Sequence, residues 1–444
     1  MGTLPPGPPL PAAVQTALML RWWSAFAFAC RRRYGEVFTV RLTGYGPGVY
    51  LSNPEHIKTV FAGDPRIYHA GEANSVLAGI LGRSSVLVID EDLHRDRRRL
   101  MLAPFHRDAV ARQTGLIAEI AAANVAGWPV GTEFAVGPKM SQITLEVILR
   151  TAIGASDPRR LAALRALMPR LLTLGYFDTL AIARPQLQRR RPWRGLRRHI
   201  AEADELLYAE IADRRADPNL AGRTDALAML VRAGQEGDDE GGRQMTDREL
   251  RDQLMTLLLA GHDTTATSLS WALERLTRSP GVLARATAAA RSGDDDYLDA
   301  VAKETLRIRP VVFDVGRVLK EPVEIAGYRL PAGVIVIPAI GLVHASDDVY
   351  DDAAQFRPER MLGATPSPTK WLPFGGGNRR CLGANLALAE MRIVLREVLR
   401  HADIETTTAP GERPRVNGVI HQPHRGARIR VRALRSAASA SAPI

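Results

Sequence analysis

Residues 374–383 read Phe-Gly-Gly-Gly-Asn-Arg-Arg-Cys-Leu-Gly. Three consecutive glycines, Gly375 to Gly377, let the backbone take positive φ or press close against a neighbour. Cys381 follows, and the pattern from Leu382 to Arg400 predicts an amphipathic helix directly after it. A cysteine at a helix N-terminus faces backbone N–H groups and the positive end of the helix dipole, which favours the thiolate. The other cysteine is Cys30. Two cysteines exclude a disulfide scaffold, a Cys-only zinc site and an all-Cys iron–sulfur cluster. They point instead to a reducing, cytoplasmic compartment and to chemistry at one thiolate.

Working outward, residues 341–380 form a long stretch rich in Pro, Gly and Asp, the kind of irregular segment that usually carries function. Before it, the spacing predicts a short helix over Val301–Ile308 and β-like runs over 311–340. Glu304 and Arg307 lie three apart, so they share a helix face, either as a surface pair or as part of a buried network. Further upstream, Thr246 and Glu249 give a capping-box signal after the polar, Gly-rich stretch 233–245. The helix they open is predicted to run to about Ser279, before Pro280. Its middle, Leu254–Thr267, is almost uncharged and should be buried all round. Asp263 and Thr264 sit in that apolar stretch. A buried Asp has to be paired, protonated or functional, and a buried Thr can simply bond back to its own helix. From Asp92 to about residue 235 the chain reads mostly helical, with breaks at Pro104, Pro129, Pro158, Pro185, Pro192 and Pro218. Val37–Leu42 and Gly48–Ser52 flank a turn-rich Thr43–Pro47 and predict a hairpin.

Phe374, Gly377, Arg379, Cys381 and Gly383 match the haem-binding pattern F-x-x-G-x-R-x-C-x-G, and the chain resembles the cytochrome P-450 family, most closely its actinobacterial and mycobacterial members. Glu304 to Arg307 resemble the family's E-x-x-R. Ala260 to Thr265 resemble its oxygen-binding motif, and His94 with Arg98 its H-x-x-x-R. Phe356 to Arg360 resemble the segment that adds a third member, Arg360, to the E-x-x-R network; the trailing Phe of that segment is Met361 here. The resemblance runs from about Tyr34 to Arg432.

It implies a mainly α fold with a small β region, enclosing haem b in a single domain over 34–432. An apolar, Pro-rich segment 1–33 precedes that domain, and a disordered tail 433–444 follows it. Cys381 would be the iron ligand, with Phe374 shielding the sulfur and Gly377 and Gly383 in the same loop. His94, Arg98, Arg317 and Arg379 would hold the haem propionates. Asp263 and Thr264 would relay protons beside a locally distorted helix, and His262 would be packing. Glu304, Arg307 and Arg360 would brace the Cys loop. The implied reaction inserts one atom of dioxygen into a small apolar substrate of lipid, sterol, terpenoid or polyketide type. Electrons would come from a separate ferredoxin and ferredoxin reductase, because no flavin or iron–sulfur module accompanies the haem segment. Arg379, Arg380 and Arg392 are candidates for docking that donor. The substrate walls are expected near Ala73–Leu81, Leu172–Phe177, Leu257–Ala260 and Pro310–Phe313. Two other readings keep the haem: a peroxygenase or isomerase needing no electron donor, and a non-enzymatic sensor.

Composition fits a globular protein. Of 444 residues 46% are hydrophobic and 24% charged, too apolar and too balanced for disorder. The net charge of +11 comes from 59 cations against 48 acids, but only five of those cations are Lys. The Arg residues are spread among acids without a basic stripe or stacking aromatics, so no nucleic-acid partner is expected. Met1–Pro11 lacks the basic and apolar regions of a secretory signal. Ala12–Cys30 is apolar but interrupted by Arg21, which predicts a helix packed on a monomeric body, with peripheral membrane contact as the alternative. Arg189–Arg198 carries six Arg, read as a solvated loop or as a contact for anionic lipid.

Overall fold

The computed structural model describes residues 4–155, 157–172, 182, 185–189, 193–233, 244–363 and 365–435. Its axis is one helix, Asp247–Thr277, 31 residues long. Both halves of the capping box form: the Thr246 hydroxyl accepts from the Glu249 N–H, and the Glu249 carboxylate accepts from the Thr246 N–H. The helix is buried along most of its length because other helices surround it. Gly137–Ile148 packs against it most extensively, and Arg194–Arg215, Asp295–Ile308 and Ala384–His401 also pack on it. Gly261 allows the closest approach: a Cβ there would lie 3.0 Å from Ile148 Cδ1. Leu254, Leu258, Leu269 and Leu273 are fully buried in the resulting core.

The β region is a five-stranded sheet in the order Val37–Leu42, Gly46–Leu51, Ile335–Pro338, Arg317–Leu319, Tyr68–His69. Gly46–Leu51 pairs with Ile335–Pro338 in parallel; the other pairings are antiparallel. The hairpin begins its second strand two residues earlier than the sequence suggests. Leu42 pairs with Gly46, which leaves a tight turn over Thr43–Tyr45 with Gly44 at φ 84°.

The N-terminal helix, Ala12–Tyr34, departs from helical backbone at Trp22 and buries Met19, Ala27 and Cys30 on the sheet side. Ahead of it, the Pro6 carbonyl accepts from the Thr39 N–H, which ties the Pro-rich stretch to the hairpin. None of the described helices is long and apolar enough to cross a membrane. The chain after Cys381 forms Ala384–His401 and then a strand, Arg428–Leu434, paired with Glu133–Ala135 and Ala402–Ile404. The expected tail therefore began two residues too early: Ala433 and Leu434 pair in that strand, and residues 436–444 lie outside the described ones. The helix read as Val301–Ile308 begins earlier, at Asp295, because Asp294 caps it by accepting from the Tyr297 N–H.

Candidate active site

The Cys loop is shaped by glycines, two of which, Gly376 and Gly377, have no room for a side chain. Gly375 and Gly377 take φ 65° and 63°. A Cβ on Gly377 would lie 1.8 Å from the Phe61 carbonyl oxygen, and one on Gly376 2.4 Å from the Phe61 ring. The loop is thereby pressed onto the helix Pro54–Ala62. It closes with the Cys381 N–H donating to the Phe374 carbonyl at 2.9 Å. Cys381 has accessible surface, yet its sulfur lies deep among protein atoms, because the space it faces is an internal cavity. Burial pushes its thiol up; the Gly383 N–H bonded to the sulfur, and then the Arg98 and Arg380 guanidiniums, pull it back down.

That cavity measures about 350 Å³ of space open to the centre of a water molecule, between the Cys loop and the central helix. Phe374, Gly383 and Cys381 line one side, and Leu257, Ala260, Gly261 and Thr264 the other. His94, Arg98, Arg317, Arg379 and Arg380 also line it, and Glu390 is its only acidic lining residue among the described ones. The cations crowd each other. His94 is held to a pKa of about 3 by burial and by Arg379, Arg98 and Arg317. Arg317 and Arg379 are each pulled down to about 10, chiefly by burial. Arg379 is neutralised by Asp90 and also donates to the Val86 and Ile89 carbonyls. Arg98 has no hydrogen bond or ion pair among the described residues, and burial is the largest influence on it. A thiol at one face, apolar walls and an excess of partly buried guanidinium form a donor set that fits a flat apolar group carrying carboxylates, and haem is such a group.

The polar pair of the central helix splits. Thr264 lines the cavity while Asp263 does not, because adjacent helical residues point about 100° apart. Burial raises the Asp263 carboxyl to about 6, and it has no polar partner among the described residues. The helix runs without interruption from Asp247 to Thr277. What marks the region is a ladder of hydroxyls bonding back to the carbonyl four residues earlier: Thr264 to Ala260 at 2.9 Å, Thr265 to Gly261 at 3.4 Å, Ser268 to Thr264 at 2.8 Å. His262 is fully buried, bonded through Nδ1 to the Leu258 carbonyl, and stands off the cavity lining.

Glu304, Arg307 and Arg360 form one buried cluster. The Glu304 carboxylate accepts from Arg307 at 2.7 and 2.8 Å and from Arg360 at 3.0 Å, and Arg307 also donates to the His344, Ala353 and Gln355 carbonyls. The sequence reading missed His344. Its Nε2 accepts from the Leu372 N–H at 2.9 Å, which links the cluster to the residues leading into the Cys loop.

Glu390 was also missed, because on the sequence it belongs to the polar stripe of an amphipathic helix. It is 2% exposed, and its Oε1 has no partner. Of the expected walls, Asn74, Leu257, Ala260, Val311 and Val312 line the cavity, but Phe313 turns away to stack on His421. Leu172–Phe177 falls largely outside the described residues. Met101, Phe105 and Ile148 contribute walls that no local pattern marked. Next to Phe313, Asp314 is partly buried, and its carboxylate accepts from Trp23 Nε1 at 2.7 Å and from the Tyr50 hydroxyl at 3.1 Å.

The cytochrome P450 family profile matches residues 5–429. The chain belongs to the cytochrome P450 family. It is 69% identical over 444 residues to cytochrome P450 135B1 of Mycobacterium tuberculosis, covering 99% of this chain and 93% of that protein. Cytochrome P450 135A1 of the same species is 40% identical over 431 residues, covering 96% and 95%. Cytochrome P450 138 of Mycobacterium bovis is 38% identical, covering 97% and 98%. Among solved structures, the retinoic-acid-bound cyanobacterial CYP120A1 superposes with a TM-score of 0.80 at 23% identity, covering 98% of this chain and all of that one. This P450 is a haem-thiolate monooxygenase in its general chemistry, and its family binds haem through a cysteine thiolate.

Proposed function

We propose that this P450 inserts one atom of dioxygen into a small apolar substrate, with the Cys381 sulfur as the residue that would hold the iron of haem b and a ferredoxin with its reductase as the electron source. The observation that carries this reading is Cys381 facing a cavity lined by four guanidiniums, those of Arg98, Arg317, Arg379 and Arg380, against one acid, Glu390. The haem, when bound, supplies the redox centre at which dioxygen is activated.

The protein's part is to hold and to protonate. The Gly383 N–H bonded to the sulfur disperses thiolate charge, and Phe374 keeps water from it. Arg98, unpaired, and Arg317 and Arg379 would donate to the two propionates; the added negative charge would let His94 take up a proton it otherwise refuses. Thr264 presents its oxygen to the cavity beside the apolar Leu257 and Ala260, which would orient an apolar guest. Asp263, poised near 6, can hold a proton and release it within the physiological range. Leu20 and Trp22 are exposed on either side of Arg21 where the N-terminal helix departs from helical backbone, and a peripheral contact with anionic membrane would run through that short stretch.

The deciding experiment is optical. The dithionite-reduced protein under carbon monoxide should show the red-displaced Soret band of thiolate ligation, and Cys381→Ser should lose it. A wild-type protein without that band refutes the assignment.

A further inference from the structure

Outside the cavity, a histidine stands among three carboxylates. His69 ends the edge strand Tyr68–His69 and is 8% exposed. Its Nδ1 lies 3.4 Å from a Glu72 oxygen and 3.7 Å from an Asp90 oxygen, and its Nε2 lies 3.0 Å from a Glu91 oxygen. Nε2 is buried and has no aligned hydrogen bond, so what it meets there is charge. A neutral imidazole carries one N–H and one bare lone pair. Either tautomer would turn that lone pair toward a carboxylate, whereas the imidazolium presents an N–H on both sides.

The cage is built around Asp90. Its carboxylate accepts from the Gly71 and Glu72 N–H groups, each at 2.8 Å, and from Arg379. Only glycine fits at position 71, where a Cβ would lie 2.7 Å from Asp90 Oδ2. Glu91 takes φ 54°, a left-handed backbone uncommon for a glutamate, and its carboxylate reaches His69. Three parts of the cavity wall thus meet at one point. They are the turn that carries Ala70 and Asn74, the start of the helix Glu91–Leu102 that carries His94 and Arg98, and the Cys loop through Arg379. Lys320 answers Glu72 at 3.0 Å, and Arg379 answers Asp90, on which the Arg317 guanidinium also acts. Glu91 has no ion-pair partner but His69 among the described residues.

We propose that His69 is a positioning residue for the haem, whose proton lets Arg379 turn from Asp90 toward a propionate. The inference rests on the haem-thiolate reading. When Arg379 is shared with a propionate, Asp90 loses part of its counter-charge and the cage grows more negative. A proton taken from solvent water onto the imidazole restores the balance, and it returns to solvent when haem leaves. Linkage makes the effect reciprocal: haem binding favours the proton on His69, so the proton favours haem binding. His69 does not itself line the cavity; it acts through Asp90 and Arg379.

The test follows haem leaving the loaded protein for excess apomyoglobin, read from the Soret absorbance. Wild-type loss should accelerate about tenfold between about pH 6 and about pH 8.5, the span over which an imidazole gives up its charge. His69→Gln should lose haem about tenfold faster than the wild type at the acid end and equally fast at the alkaline end. His94, whose charge also bears on the propionates, is present in both proteins and cancels in that ratio. Glu91→Gln, at a half-exposed side chain, should move the wild-type acceleration to lower pH. A ratio of His69→Gln to wild type that is the same at every pH marks a merely structural role and overturns the proposal. An acceleration left unshifted by Glu91→Gln overturns it too. Both variants, freshly loaded, should keep the wild-type carbon monoxide band; its absence from the unsubstituted protein would instead refute the haem-thiolate reading.

Discussion

Asp263 shows how one residue's surroundings set a measurable pH response. Burial holds its carboxyl at about 6, above the ordinary value of 3.8. The folded state therefore binds a proton that the unfolded chain releases between those two values, so stability falls as pH rises from about 4 to about 6 and is flat above. Asp263→Asn has no charge to bury. Its stability relative to the wild type should rise from near zero below pH 4 to about 3 kcal/mol above pH 6, read from urea midpoints across that range. Turnover should fall at the same time. Gly377 makes the opposite point about space. Gly377→Ala would place a methyl on the Phe61 carbonyl at a positive φ, so it should displace the sulfur and diminish the carbon monoxide band.

At the scale of elements, the buried cluster and the capping box differ in what they hold. Glu304→Gln removes the one negative charge facing Arg307 and Arg360, stranding cations in a site with no side-chain exposure for the first pair. Breaking such a pair costs about 3–5 kcal/mol, and the expected result is little folded, haem-loaded protein, assayed by haem absorbance per unit of soluble chain. Thr246→Ala removes only a terminal cap and should cost about 1 kcal/mol, visible in the unfolding midpoint with the haem spectrum intact.

These elements also show what a sequence can display. The capping box and the Cys loop were legible because their causes are local: a hydroxyl three residues before a Glu, and glycines beside a Cys. The direction in which a strand or helix faces is not local. Val311 and Val312 line the cavity while the next residue, Phe313, stacks on His421 instead, so the packing partner decides which side chain lies inside. On the sequence His344 falls in the stretch read as irregular, and Glu390 looks like an ordinary polar position of a helix. Only the close packing around them reveals one as a strut of the Cys loop and the other as a lone acid.

At the scale of the whole molecule, surface charge must meet an electron donor, and here the structure narrows the candidates. Arg379 points inward to Asp90, so it cannot form part of a docking surface as the sequence suggested; Arg392 is partly buried and paired with Asp295 at 3.5 Å. Arg380 remains exposed beside the Cys loop. Arg380→Glu should therefore slow reduction by an acidic ferredoxin at low ionic strength, with the difference fading as salt is raised toward a Debye length of about 8 Å. Stopped-flow reduction rates that match the wild type at low salt would remove Arg380 from the contact. Arg194–Arg198, the described end of the Arg-rich segment, opens the helix Arg194–Arg215, and Arg198 lies near Glu202 at 3.7 Å, as a solvated face would.

The tie between Trp23, Tyr50 and Asp314 gives the amino-terminal helix a stake in the ligand chamber. Val312 and Val315, which flank that carboxylate, are chamber walls. A chain shortened to begin near residue 34 would lose the indole donor and leave the Asp314 carboxylate held by the Tyr50 hydroxyl. Trimming what looks like a dispensable leader would then be read out as altered guest preference, a change in selectivity produced by cutting the protein far from its iron.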